Sequence, residues 1–525
     1  MTNKLKIIIL KPSKYGMDGF VERFRWGFMP NSTVPYIRSM TPPEIDGTPV
    51  EVHTIDEYVH TDVKYFSLLT NAKDEKTLLA LVGVQSHQFQ RALDLAAYAQ
   101  KQGCMVIIGG PHSMTCDTSL LHGRGISFAL AEAELIWPTI LRDALAGELQ
   151  SVYGQDQRWQ RTLEAPVVIP PSERDLQRYF MAMLGLYPAR GCPFLCNYCS
   201  VIKIAGRAVR SQSIDTTIAS LKVAKAAGVK LIMFTSDNFN KYADAEELLN
   251  AMIEEEIHLP FLVQCDTQIM KQEKLVELLS RAGCFQMFLG VESFSRETLL
   301  AARKTQNRPE LYENILQLCR RYRIYSHFST IIGFPQDTAP GIQQHINTIC
   351  ELSPTWASFY ILCPIPGTEQ YDDFLSKGWI TEKNLDRFDC TYLTWTHPTL
   401  SRHELQSWMF RAYRRFESLK HTKMNLSHLS YKRGGLLAEI RTSIGYTLFQ
   451  HYSALRRKHP MSGGFKRKKI DHLNDFLHLR RKLFDLSLVP LPQSLALPEA
   501  DQILNRIGNS ALKHALATGG APAVV

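Results

Sequence analysis

No apolar run in the 525 residues approaches the ~18–20 that a membrane-spanning helix needs. Mean hydropathy is −0.16. Hydrophobic residues make up 45% and charged residues 21%, which are globular values. Collagenous, disordered and polytopic membrane classes are thereby excluded. The first ten residues (MTNKLKIIIL) hold too short an apolar run for a signal-peptide core, and no small-residue cleavage site follows. They read as a first β-strand, and the chain is expected in the cytoplasm. A reducing compartment makes a disulfide framework the wrong expectation for its 11 cysteines. There is no internal repeat at a fixed period. Most of the chain also lacks a charge excess of either sign. Residues 420–485 carry 15 basic and four acidic side chains, a local excess of 11 that leaves the remainder at −2. That near-neutral body has no general nucleic-acid footprint, so nucleic acid is not an expected partner.

What is present is strand–helix alternation. Apolar runs at 5–10, 50–53, 79–84 and 105–108 alternate with helical spacing, as at 91–102. This predicts an open parallel sheet over residues 1–150, with ligand loops at the carboxyl ends of its strands. Residues 164–175 (EAPVVIPPSERD) are rich in proline and charge, and 151–180 is expected to be a linker. A second α/β series follows over 181–395, with strands expected at 183–187, 231–234, 261–264, 287–290, 328–332 and 359–363. Six such units suit a partial (β/α)6 barrel, whose chemistry sits on the loops after the strands. Residues 396–525 read as a mainly helical, basic C-terminal region with a loose tail over 515–525.

The strongest local signal is Arg190-Gly191-Cys192-Pro193-Phe194-Leu195-Cys196-Asn197-Tyr198-Cys199. Three cysteines in C-x3-C-x2-C spacing on a loop after an apolar strand can wrap zinc or an iron–sulfur cluster. Structural zinc uses four ligands, usually as two pairs, and no second pair lies nearby. Three thiolates on a four-iron cluster would leave one iron open to a substrate's amine and carboxylate. The other eight cysteines (104, 116, 265, 284, 319, 350, 363, 390) are scattered, and core packing is their better reading.

This loop resembles the signature of the radical S-adenosylmethionine (SAM) superfamily. The likeness continues through Thr235-Ser236-Asp237-Asn238-Phe239, Gly290-Val291-Glu292-Ser293, Ile332-Gly333-Phe334-Pro335 and Cys363-Pro364-Ile365-Pro366-Gly367-Thr368, and covers about 181–395. It implies that Cys192, Cys196 and Cys199 ligate a 4Fe-4S cluster. It implies that Tyr198 flanks the adenine of SAM, that Ser236 and Asp237 lie near its methionine end, and that Glu292 and Ser293 face its ribose or carboxylate.

The N-terminal sheet resembles the cobalamin-binding domain fused to one branch of that superfamily. Val84-Gln85-Ser86-His87-Gln88 and Ile108-Gly109-Gly110-Pro111-His112 carry the likeness. Ser86 and Gln88 would contact cobalamin, and Gly109 and Gly110 would admit its nucleotide tail. Two features depart from the pattern. The loop after the first strand, residues 10–19, lacks the histidine of Asp-x-His-x-x-Gly, leaving His53, His60, His87 and His112 as the candidate cobalt ligands. Ala131-Glu132-Ala133-Glu134 stands where Gly-Glu-Gly-Glu is more usual.

Together these resemblances imply a Rossmann-like cobalamin-binding domain, a partial radical SAM barrel and a helical C-terminal region. The implied activity is C-methylation of an unactivated carbon with SAM and methylcobalamin. Radical oxidation, cyclisation or ring rearrangement on the same cofactors is the first alternative, and a non-enzymatic iron–sulfur or zinc protein the second. The substrate would be a small molecule, lipid- or pigment-like, with a reductase, flavodoxin or ferredoxin as electron donor. No catalytic side chain is assigned. In the C-terminal region, Leu436, Leu437, Ile440, Ile444 and Leu448 are interleaved with basic ends, followed by Lys466-Arg467-Lys468-Lys469 and Arg480-Arg481-Lys482. Such a stretch can lie on an anionic membrane, bind RNA phosphates or be a solvated face over a core stripe.

Overall fold

The computed structural model describes residues 4–16, 20–62, 64–71, 75–382, 384–418, 420, 421, 423, 436–460 and 464–468, without the side chains of 436–443 and 465. Eight strands precede the barrel: β1 (Lys4–Lys11), β2 (Arg23–Gly27), β3 (Glu44–Ile45), β4 (Thr48–Asp56), β5 (Glu75–Leu81), β6 (Met105–Gly109), β7 (Ser127–Ala129) and β8 (Val152–Tyr153). All but β2 form one sheet, in the order β3-β4-β1-β5-β6-β7-β8. Its pairs are parallel except for the β3 edge.

The sequence of β1 explains its central place. Side chains alternate between the faces of a strand, and here both faces are apolar. Ile8 and Leu10 pack with Leu79, Leu81 and the helix Phe89–Lys101. Leu5, Ile7 and Ile9 pack with Leu78, Ala80 and the helices Thr33–Ser39 and Ala133–Ala146. Each such side chain contributes about 1.5–3 kcal/mol on burial, so a strand buried on both faces belongs in the sheet's middle. The first unit extends to Tyr153, past the expected boundary at 150, because β8 pairs with β7. Within the expected linker, Glu173–Leu176 forms one helical turn capped by Ser172, which accepts from the Asp175 amide at 3.2 Å.

The second unit is built on β9 (Leu184–Leu186), β12 (Ile232–Phe234), β13 (Phe261–Cys265), β14 (Cys284–Glu292), β15 (Tyr325–Ile332) and β16 (Trp356–Ile361). Two short strands, β10 (Ala189–Arg190) and β11 (Arg210–Ser211), pair antiparallel beside them. The six run parallel in the order β16-β15-β14-β13-β12-β9, an open barrel at the places expected. Ile232, Phe234, Val263, Met287, Leu289 and Phe328 face the surrounding helices and form the largest core.

The gap between β9 and β16 is filled from outside the barrel. Phe28, Trp356, Tyr446 and Phe449 form a separate cluster there, with Met29 and Met181 against it. Tyr446 and Phe449 come from the helix Leu436–Leu455. The strand β17 (Gly464–Lys468), which the sequence did not suggest, then pairs antiparallel with β2. The C-terminal region therefore closes back onto the N-terminal segment. The other C-terminal helix, Arg402–Phe416, starts at a Ser401/Glu404 capping box. Its Tyr413 hydroxyl accepts from the Phe359 amide at 3.0 Å. Lys469, Arg480-Arg481-Lys482 and the 515–525 tail lie outside the described residues. Among the described residues, no helix is long and apolar enough to cross a membrane.

Candidate cofactor site

The buried strand β9 delivers the chain to β10, and the cysteine loop leaves from there and returns at β11. Ala189 pairs with Ser211, and Arg190 with Arg210. Gly191 starts the loop at φ +106°, where a Cβ would collide with the Ala208 carbonyl oxygen. Only glycine fits that close approach. Cys196 is buried, and Cys192 and Cys199 are half-buried. The Asn238 side-chain amide lies 4.0 Å from Cys192 Sγ, and that of Gln306 lies 3.8 Å from Cys196 Sγ.

Burial pushes the Cys199 thiol up to about 12, with charge on Cys196 and Cys192 adding to the effect. Burial also raises Cys192. Three thiolates held this close and this dry need cationic charge among them. Among the described residues, no group of three or more His, Cys, Asp or Glu is arranged around a single ion. A thiolate-ligated cluster spaces its ligands by the width of the cluster, and the soft, cysteine-only donor set fits it.

The loops after the next strands converge on this one. Ser236 Oγ accepts from the Ala189 amide at 3.2 Å, and Asp237 Oδ2 accepts from the Gly191 amide at 3.0 Å. Burial raises the Asp237 carboxyl against the opposing pull of Arg190 and Arg210. At the end of β14 the pairing shifts register, and Glu292 takes φ +63°. Its Oε1 accepts from Lys304 Nζ at 2.5 Å, and the Tyr198 hydroxyl bonds the same carboxylate. Burial opposes the charge on Lys304, but Glu292 and Cys196 outweigh it and raise its pKa. Ser293 Oγ accepts from the Ser295 amide at 3.1 Å. Asp266 ties the region together, accepting from Asn238 at 2.8 Å and Asn240 at 3.1 Å.

The N-terminal sheet meets the barrel across two cavities. One of about 250 Å³ is lined by Gly83, Gly109, Gly110, Trp137, Arg190 and Asp237. Gly110 has φ +131°, and a Cβ there would collide with the Val84 amide nitrogen. Glycine at 110 is thus demanded by its close packing on the Gly83–Val84 backbone at the cavity wall. The second cavity, about 670 Å³, is lined from the sheet side by Lys11, His87 and Gln88 and from the barrel side by Tyr187 and Tyr360. Burial pulls the His87 imidazole down to about 3. Ser86 lines neither cavity, its Oγ lying 3.0 Å from His112 Nδ1. Gln88 accepts from Lys11 Nζ at 2.7 Å and donates to the Pro12 carbonyl at 2.8 Å. His60 accepts from the Asp56 amide at 2.8 Å, and His53 pairs with Glu51 at 2.6 Å.

The two units are latched by charge. Glu132 takes Arg210 in two bonds, of 2.7 and 2.9 Å, and Arg190 at 3.3 Å. It also accepts from the Gln160 amide at 2.7 Å. Glu134 pairs with Arg190 at 2.7 Å and accepts from the Tyr36 hydroxyl. The acidic residues of the N-terminal unit thus grip both strands that bracket the cysteine loop.

Residues 186–349 match the model of the Radical SAM superfamily. That range contains the three cysteines and runs from the last residue of β9 through β15 with the loops between. This is a radical SAM barrel. Bacteriochlorophyllide d C-12(1)-methyltransferase of Chlorobaculum tepidum is 24% identical over 299 residues, covering 55% of this chain and 64% of that protein. Bacteriochlorophyllide d C-8(2)-methyltransferase of the same organism is 24% identical over 383 residues, covering 68% and 78%. The match thus spans slightly under two thirds of the first relative. The solved structure of the radical SAM methyltransferase TsrM from Kitasatospora setae, with cobalamin and a [4Fe-4S] cluster bound, superposes with TM-score 0.56. Its identity is 15%, and the match covers 72% of this chain and 75% of that one. At that identity it speaks for the fold: a Rossmann-like N-terminal sheet on a radical SAM barrel.

Of the residues singled out from the sequence, the radical SAM barrel brings together Cys192, Cys196, Cys199, Tyr198 and Glu292. Ser236 and Asp237 brace the start of the cysteine loop, and Asp237 also lines the smaller cavity. Ser293 is buried and occupied within its own turn. Gly109 and Gly110 line the smaller cavity and Gln88 the larger, whereas the Ser86 hydroxyl is occupied by His112. Sequence reasoning missed Lys304, Gln306 and Asp266, which are buried polar residues without a familiar pattern around them. It read Glu132 and Glu134 as a departure from a motif and not as partners of Arg190 and Arg210.

Proposed function

We propose that this protein is a cobalamin-dependent radical SAM enzyme that methylates an unactivated carbon of a small, largely apolar substrate. The observation that carries the reading is the cysteine loop itself, set between a radical SAM barrel and a sheet whose glycines line the cavity beside it. A 4Fe-4S cluster with SAM would supply a 5′-deoxyadenosyl radical, and methylcobalamin the methyl group.

The chain's own residues then bind, orient and exclude water. Cys192, Cys196 and Cys199 ligate the cluster, and Asn238 and Gln306 donate toward two of their sulfurs. Tyr198 flanks the adenine. Ser236 and Asp237 fix the loop at the methionine end, and Glu292, paired with Lys304, takes the ribose or carboxylate with Ser293 beside it. Gly109 and Gly110 admit the nucleotide tail, and Gln88 and Ser86 hold the strand ends around it. The 10–19 loop carries no histidine, and His87 and His459 are the imidazoles that line the larger cavity. The names of the relatives support a pigment-like ring compound as substrate. A flavodoxin- or ferredoxin-type donor supplies electrons, and peripheral membrane contact through the C-terminal region belongs to the same reading.

The test is anaerobic reconstitution with iron, sulfide and cobalamin, followed by reaction with methyl-deuterated SAM and candidate apolar ring substrates. Reductant-dependent 5′-deoxyadenosine with deuteromethylated product is expected. 5′-Deoxyadenosine with only dehydrogenated or cyclised product would replace methyl transfer by radical oxidation. Bound iron without any 5′-deoxyadenosine would refute the enzyme.

A further inference from the structure

The helix Leu436–Leu455 has two described apolar faces. One, through Tyr446 and Phe449, closes the gap of the barrel. The other faces solvent: Ile444 (38% exposed), Leu448 (63%), Tyr452 (49%) and Leu455 (59%). Steps of four, four and three residues put these on a single stripe of the helix. Phe180, 48% exposed, stacks on Phe449 of the gap-closing face with ring centres 5.6 Å apart. Large apolar side chains exposed singly are ordinary, but a contiguous stripe marks a contact surface.

The charges that neighbour the stripe along the chain are of one sign. Arg456, Arg457 and Lys458 are exposed directly beyond Leu455, and Lys466 and Lys468 are exposed on β17. The adjoining helix Arg402–Phe416 exposes Arg411, Arg414 and Arg415. No residue from 444 to 468 is acidic. Arg456 lies over the Tyr452 ring at 4.8 Å, so the cationic and apolar parts form one surface. An isologous contact with a second copy would set these cations against each other with no acid among them to offset the repulsion.

We propose that this face docks on an anionic membrane, with Leu448, Tyr452 and Leu455 entering the boundary between headgroups and acyl chains and the flanking cations contacting lipid phosphates. The docked face lies beside a cavity of about 660 Å³ in the lower barrel, to which Gly445 and Tyr446 of the same helix contribute. Phe28, Phe180, Phe288 and Trp356 give that cavity an aromatic lining suited to an apolar molecule. The contact rests on the proposed function for its purpose only.

The test floats the full-length protein with vesicles of phosphatidylcholine alone and of phosphatidylcholine mixed with phosphatidylglycerol. Binding to the anionic vesicles, weakened by salt, is expected. At ~1 kcal/mol per basic residue, Arg456→Gln, Arg457→Gln and Lys458→Gln together weaken it about a hundredfold. Leu448→Glu with Leu455→Glu weakens it by roughly tenfold or more. Both variants keep the iron content, circular dichroism and 5′-deoxyadenosine release of the parent. Three results would overturn the proposal: no binding by the parent chain, variants that bind as it does, or a lipid-free dimer that the Leu448→Glu, Leu455→Glu variant dissociates. Vesicle binding is read without turnover, so a failure of the cofactor reading shows separately, as missing 5′-deoxyadenosine.

Discussion

Replacing Glu132 by glutamine removes one negative charge from among two buried guanidinium groups and leaves the shape unchanged. Glu132 is buried, and its two oxygens take four bonds, three from Arg210 and Arg190 and one from the Gln160 amide. Burial alone would raise its carboxyl, but Arg210 and Arg190 prevail and hold it below the usual range. Breaking a buried, hydrogen-bonded ion pair from one side costs about 3–5 kcal/mol, because the partner is left charged and dry. Glutamine retains some of the hydrogen bonding, so about 3 kcal/mol is expected. The loss falls on the contact between the N-terminal sheet and β10/β11, the strands that bracket the cysteine loop. Hydrogen exchange followed by mass spectrometry reads it directly. Amides from 189 to 211 should lose about a hundredfold in protection, at 1.4 kcal/mol per tenfold. Those of the distant helix Ala339–Leu352 should be unchanged. Protection at 189–211 within about threefold of the parent would refute the latch as a holding device.

Three further outcomes are expected. Alanine at Cys192, Cys196 or Cys199 abolishes reductant-dependent 5′-deoxyadenosine and lowers bound iron, whereas alanine at the buried Cys319 leaves iron content unchanged; iron and 5′-deoxyadenosine assays on the same preparations decide it. Gly110→Ala forces a side chain into φ +131° against the Val84 nitrogen, costs roughly 2 kcal/mol, and abolishes the cobalamin absorbance of reconstituted protein without loss of iron. Glu57, paired with Arg91 at 2.5 Å, is held at about 2 against an ordinary 4.5, since Arg91 overrides the cost of burial. That difference contributes about 3 kcal/mol; being a depressed carboxylate, it is fully present above pH ~4.5 and lost as pH falls toward 2, and Glu57→Gln should flatten that part of an acid-unfolding curve.

The order of the units was legible because each core strand carries a short apolar run. The central strand β1 is apolar on both faces, and the barrel strands are separated by helices of regular spacing. Three of those strands, β14, β15 and β16, begin three residues earlier than expected. Gln286 and His327 near two of those beginnings line the barrel cavity and interrupt the apolar run, and Trp356, which opens β16, lines the same cavity. The very short strands β3, β7 and β8 carry too few residues for any period to show, and β8 moved the first boundary beyond 150. Pairing of β17 with β2 joins residues more than four hundred positions apart, through a basic segment (GFKRK) with no strand pattern. In the site, cysteines and glycines could be read because their chemistry or conformation is unusual in itself. Lys304 and Glu132 could not, since their meaning lies entirely in the charged partner that folding brings to them.

The inner face of β14 joins the surroundings of the cysteine loop to the cavity of the lower barrel. Side chains of like parity share a face, so Gln286, Phe288, Gly290 and Glu292 succeed one another up the barrel until the register shift at the end of the strand. Gln286 and Phe288 line the lower cavity. Glu292, at the top, meets Lys304 and the Tyr198 hydroxyl beside the cysteine loop. Between them stands Gly290, where a Cβ would lie 2.9 Å from both Glu292 Oε1 and Lys304 Nζ. At roughly 3.3 Å per residue, Phe288 and Glu292, four residues apart, are separated by about 13 Å of strand. The single missing side chain leaves the ion pair room to form at that level of the strand. An apolar molecule held at Phe288 would then lie below the carboxylate layer, with no β14 side chain at the glycine position to separate them.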